Sequence, residues 1–167
     1  VRAARPVNEV FQIVSVQRPL ERLVERGSDE PYLEPHQIQA RLDVEHVTLH
    51  VGLDTFRPLT VDELERHELH GERYRVRPES WARIESAERV LAVGTTTVRV
   101  LETIARDGVL AGRTSLYVLP GFPFRRVDAL LTNFHLPLST LLALVMAFAG
   151  IEEVRELYRL AVGERYR

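Results

Sequence analysis

Three short segments concentrate the side chains able to do chemistry. The first runs His46-Val-Thr-Leu-His50 into a loop carrying Asp54, Thr55 and Arg57. In an extended chain His46, Thr48 and His50 share one face, because successive side chains alternate. Two imidazoles four apart, with Asp54 as a third group, could hold a metal ion. The same residues equally suit the wet face of a half-exposed strand. The second segment is Ala92-Val-Gly-Thr-Thr-Thr-Val-Arg99. An apolar run that ends at glycine and enters a helix through Thr95, Thr96 and Thr97 leaves free backbone N–H groups at the helix start. Such a start cradles an anion or a polar ligand. Threonines are also ordinary helix caps. The third segment, Leu131 to Thr140, packs Asn133, His135, Ser139 and Thr140 into another strand-to-helix junction. An imidazole there suits acid–base work near neutral pH, or serves as a satisfied structural residue. A weaker candidate is His67-x-x-His70-x-Glu72, a histidine pair beside a carboxylate.

Positioning these groups requires alternating strands and helices. Residues 7–17 read as a strand, and Pro19 to Arg26 as a short helix. The stretch from Gly27 to Pro35 reads as a connection. His46 to Leu53 alternates cleanly, with Val47, Leu49 and Val51 on the apolar side. Thr60 followed by Glu63 is a capping box. A strand is expected over 72–77, and Pro78 opens a helix to about Ala87 that buries Trp81 and Ile84. The continuous apolar run 90–93 predicts a strand covered on both faces. The helix after Gly94 places Val98, Leu101, Ile104 and Ala105 inward and Arg99, Glu102 and Arg106 toward water, with Gly108 as its stop. Strands are expected over 115–119 and 129–134, separated by a turn carrying Arg125 and Arg126. Ser139 or Thr140 caps an all-apolar helix through Phe148. The last segment is amphipathic, with Val154, Leu157, Tyr158 and Ala161 inward. The pattern is α/β.

Composition narrows the chemistry. The chain has 167 residues, 45% hydrophobic, with a formal net charge of -2. That suits one compact domain with at most a small appendage and provides no global positive field for a nucleic acid. Any RNA must be held by a local patch. There is no cysteine, which removes thiolate nucleophiles and disulfides. All 22 Lys+Arg positions are arginine, which removes Schiff-base chemistry and a P-loop lysine. Residues 1–6 lack the apolar run of a signal peptide, and Leu136 to Gly150 is shorter than the about 20 residues of a membrane span. A cytoplasmic location is expected.

Four blocks resemble the S-adenosylmethionine:tRNA ribosyltransferase-isomerases of queuosine biosynthesis. They are TLHVGLDTFRP (48–58), the histidine run 67–74, AVGTTTVRVLE (92–102) and DALLTNFHLPLSTLLALVMAFAG (128–150). The resemblance implies a mixed sheet with helices packed on it (36–167), plus a remnant of a smaller β-barrel domain over 1–35. It implies transfer and isomerisation of the ribosyl part of S-adenosylmethionine onto 7-aminomethyl-7-deazaguanine at the tRNA wobble position. Adenine and methionine leave, and epoxyqueuosine-tRNA forms. S-adenosylmethionine is then a co-substrate, tRNA the partner, and no metal is needed. Family members are longer, so the chain is expected to be a fragment or to be missing disordered stretches. Asp54 stands where the family has glycine, and Leu138 where it has a charged residue.

For that reaction His50 and His135 are the acid–base candidates, with Glu72 the carboxylate alternative. Thr95, Thr96 and Thr97 would hold sugar hydroxyls or the methionyl carboxylate. Arg57 and Arg99 would pair with that carboxylate or a phosphate. Thr55, Asn133, Ser139 and Thr140 complete the substrate set, and Arg125 and Arg126 would contact tRNA. Two other classes remain open from the residues alone: a metal-dependent hydrolase built on His46, His50, Asp54, His67 and His70, and a non-catalytic module binding a nucleotide or tRNA.

Overall fold

A computed structural model describes residues 7–15 along the backbone, and residues 43–51 and 71–166 in full. Among them, six strands form one sheet: β1 (Val7–Ser15), β2 (Asp43–Val51), β3 (Glu72–Val76), β4 (Val90–Val93), β5 (Ala111–Thr114) and β6 (Ala129–Leu131). Their order is β5-β3-β2-β1-β4-β6. Every neighbouring pair is antiparallel except β4 and β6, which run parallel. Four described helices accompany the sheet: α1 (Pro78–Ser86), α2 (Thr95–Asp107), α3 (Thr140–Ala149) and α4 (Ile151–Gly163). The expected α/β class and mixed sheet are both present. Within the stretch 1–35, β1 pairs into this sheet between β2 and β4. The proposed boundary at 35, the helix at Pro19 and the capping box at Thr60 lie outside the described residues.

Alternation decides which face of the sheet is dry. Val47, Leu49, Tyr74, Val76, Val90 and Ala92 are buried together, against Ile84 of α1 and Val98, Leu101 and Ile104 of α2. Each such fully buried aliphatic side chain contributes roughly 1.5–3 kcal/mol from area removed from water. α2 ends as expected: Gly108 takes the left-handed conformation at φ 70°, and its N–H donates to the Ile104 carbonyl at 2.7 Å.

Several expectations need correction. Arg99 and Glu102 are not on a wet face; they are 3% and 1% exposed, and only Arg106 of that trio meets solvent. The reason lies in 115–119, which alternates like a strand but is irregular, while the strand itself is β5 at 111–114. Leu116 and Val118 still point into the core. An irregular buried segment must find partners for its backbone groups elsewhere. Arg99 Nε donates to the Leu116 carbonyl at 3.1 Å, and the Leu116 N–H donates to Thr114 Oγ1 at 3.1 Å. Glu102 accepts from three consecutive backbone N–H groups, those of Arg125, Arg126 and Val127, at 2.8–3.0 Å. Both charged residues therefore replace a missing ladder. The strand expected over 129–134 stops at Leu131. Trp81 is only partly buried, Ser80 being the closed position beside Ile84. In α4 Val154 and Ala161 are buried, but Leu157 is 57% exposed.

Candidate functional site

The parallel pair β4–β6 sets the geometry. Val93 stands opposite Leu131, and the Gly94 N–H donates to the Leu131 carbonyl at 2.8 Å. The threonine junction and the histidine junction thus leave the sheet side by side, at the carboxyl ends of adjacent strands. In open α/β sheets ligands bind at that edge.

At the first junction Gly94 has φ 89°, a conformation that a side chain would strain. α2 starts without a side-chain cap, and its first intrahelical bond is the long one from the Val98 N–H to the Gly94 carbonyl, 3.4 Å. Thr95, Thr96 and Thr97 are all buried, and the Thr97 hydroxyl donates to the Val93 carbonyl at 2.7 Å. Thr97 is therefore engaged within the helix start.

The second junction is open. Thr132, Asn133, Phe134, Val145, Leu157 and Tyr158 line a cleft of about 540 Å³, within the size range of small-molecule sites. Phe134 meets Tyr158 edge to face, with centroids 5.1 Å apart. His135 is held from two sides. Its Nε2 lies 3.1 Å from the Thr132 hydroxyl, and its backbone N–H donates to Tyr158 Oη at 2.7 Å. Tyr158 in turn donates to the His135 carbonyl at 3.2 Å. Burial pushes the imidazole below its ordinary value of 6.5, since desolvation disfavours the cation. It is thus neutral at pH 7 and able to accept a proton. Leu138 follows in the left-handed region at φ 55°, a local strain. Ser139 then caps α3, accepting from the Leu142 N–H at 3.2 Å while donating to the Leu136 carbonyl at 2.7 Å. Thr140 is buried in the first turn of that helix.

The remaining candidates are dispersed. Glu72 and Arg99 find each other: Arg99 Nη1 donates to Glu72 Oε2 at 2.6 Å in a buried ion pair joining α2 to β3. His50 is exposed, on the face of β2 away from Val47 and Leu49. Arg125 is exposed. The Arg126 guanidinium instead donates to the Ile84 and Ala87 carbonyls, closing the end of α1. Thr55, Arg57, Asp54, His67 and His70 lie outside the described residues. No group of three metal-ligating side chains occurs among the described residues. Sequence reasoning missed Thr132 and Tyr158 as the holders of His135. A tyrosine on the inward stripe of α4 was a usable signal, because a buried phenol needs a hydrogen-bond partner.

A sequence profile described as "Queuosine biosynthesis protein" matches residues 34–167, and the chain belongs to that family. A relative named S-adenosylmethionine:tRNA ribosyltransferase-isomerase from Rubrobacter xylanophilus is 57% identical over 129 residues, covering 77% of this chain and 39% of that protein. The protein of the same name from Solibacter usitatus is 56% identical over 128 residues, covering 77% and 36%. The crystal structure of S-adenosylmethionine tRNA ribosyltransferase from Thermotoga maritima superposes with a TM-score of 0.56 at 52% identity, covering 57% of this chain and 36% of the other. The chain thus spans less than two fifths of these relatives. No described helix is long and apolar enough to cross a membrane.

Proposed function

We propose that the chain carries catalytic elements of an S-adenosylmethionine:tRNA ribosyltransferase-isomerase. The reaction transfers the ribosyl part of S-adenosylmethionine to 7-aminomethyl-7-deazaguanine in tRNA, isomerises it to the epoxide of epoxyqueuosine, and releases adenine and methionine. The observation carrying this reading is an imidazole hydrogen-bonded to Thr132, just past the end of one of two parallel strands, in a chain of this family.

The residues divide the work by their chemistry. His135, neutral at pH 7, takes the proton from the 5′ carbon, which the adjacent sulfonium acidifies. Thr132 orients the ring, and Tyr158 fixes the His135 backbone. Asn133, in the cleft wall, reads polar edges of the nucleoside. The backbone N–H groups of Thr95 and Thr96 at the start of α2 take an anionic or hydroxyl group. Ser139 and Thr140 shape the start of α3 rather than touching substrate. The Glu72–Arg99 pair supports α2 from below, which favours His135 over Glu72 as the base. Arg125, which is exposed, serves the RNA side of the reaction.

The test is incubation with labelled S-adenosylmethionine and tRNA bearing the deazaguanine base, with chromatography for adenine. His135→Ala is expected to lower turnover about 10²- to 10⁴-fold, the usual contribution of a positioned acid–base group. Its circular dichroism should be unchanged. Full turnover in that variant removes His135 from the mechanism.

A further inference from the structure

The sheet face turned away from the core carries a cluster of arginines. On β3, Tyr74 and Val76 are buried, so Arg73 and Arg75 point to the opposite side, where both are exposed. The register places Arg73 directly opposite both His50 of β2 and Arg113 of β5, and Arg75 opposite Thr48. Directly opposed residues of an antiparallel pair share a face about 4.5–5.5 Å apart. Three guanidinium groups therefore stand together beside an imidazole. Like charges directly opposed in a sheet destabilise it. Among the described residues no ion pair involves Arg73, Arg75 or Arg113. Arg113 is held by one hydrogen bond, from Nη2 to the Gly71 carbonyl at 2.6 Å. In a chain with a formal net charge of -2, this concentration is local rather than a by-product of a basic composition.

Strand directions place the patch relative to the cleft. The registers make β2 and β5 parallel to β4 and β6, with β3 reversed. His50, Arg73 and Arg113 consequently lie toward the same end of the sheet as Gly94 and Thr132. Three strand spacings, about 14 Å, separate β4 from β3. We propose that the outward face of β2, β3 and β5, through Arg73, Arg75 and Arg113 beside His50, is a docking surface for the phosphate backbone of RNA. This rests on the ribosyltransferase reading for the identity of the RNA, a tRNA. Guanidinium groups grip phosphates by paired, charge-assisted hydrogen bonds.

The test measures tRNA affinity of the purified chain over a salt series. Arg73→Gln combined with Arg75→Gln should shrink the slope of log K against log salt by about 1.5, the value for two lost phosphate contacts. Binding of S-adenosylmethionine should not change. Arg73→Lys with Arg75→Lys should retain the slope, since the charges remain. The inference is overturned by an unchanged slope in the glutamine variant, by a wild-type chain that does not bind tRNA, or by polyglutamate competing as well as RNA at equal charge. Loss of slope together with absent adenine release would leave the docking surface standing and sink the ribosyltransferase reading instead.

Discussion

The two junctions at the edge of β4 and β6 have the same local plan, a strand that ends and a helix that begins, yet they are built oppositely. At Gly94 the polar groups are enclosed: the three threonines are buried, one hydroxyl is tied to Val93, and the charged residues further along α2 are committed to distant backbone groups. Around His135 the backbone is strained at Leu138, apolar side chains such as Leu136 and Leu138 are exposed, and a cleft opens between Thr132, Asn133 and Tyr158. The first junction is a rigid floor, and the second is where a ligand meets side chains. Rigidity in one and openness in the other is the arrangement a positioned base requires, since a site holds its geometry only if its supporting shell is locked.

Breaking the floor should cost the most stability. Glu72→Ala leaves the Arg99 guanidinium buried without its carboxylate, and about 3–5 kcal/mol of stability should be lost, read by urea denaturation. A loss below about 1 kcal/mol would mean the pair is accessible to water, and that Glu72 is open to substrate after all. At the open junction the corresponding damage is smaller. Ser139→Ala removes the cap of α3 and should cost about 1 kcal/mol. A cost as large as that of Glu72→Ala would erase the contrast between floor and opening.

The smallest effect sharpens the comparison through pH. His135 is held below 6.5 by burial, so the unfolded chain binds the proton more readily than the folded one. Stability should therefore rise with pH from the lowered folded value up to the ordinary 6.5, and be flat above it as far as this group is concerned. His135→Asn should flatten that part of the profile in thermal melts across pH 5 to 7. An unaltered profile would place the imidazole in water.

Much of this was legible along the chain. The alternation of β2, the glycine stop at 108 and the Ser139 cap are local patterns, and each stands where its residues put it. The site was legible as two junctions but not as a set of roles. Arg99 and Glu102 fall at the spacing of a wet helix face, and nothing within a helical turn distinguishes them from Arg106. Their partners sit 17 to 27 residues away in sequence, on either side. Arg126 was indistinguishable from Arg125 until α1, about forty residues earlier, presented its carbonyls to one and not the other. The basic face went unread because it is assembled from three strands, one residue from each sharing a row.

What the chain alone determined is short-range: the period of its apolar residues, the places where glycine or a hydroxyl ends or starts an element, and the motif blocks that assign the family. Folding decided which charges are spent inside and which remain for a ligand. That choice depends on the neighbours that long-range packing supplies, because a buried ion is tolerated only beside a partner and an exposed one needs none. A sequence window contains the charge but not its neighbour.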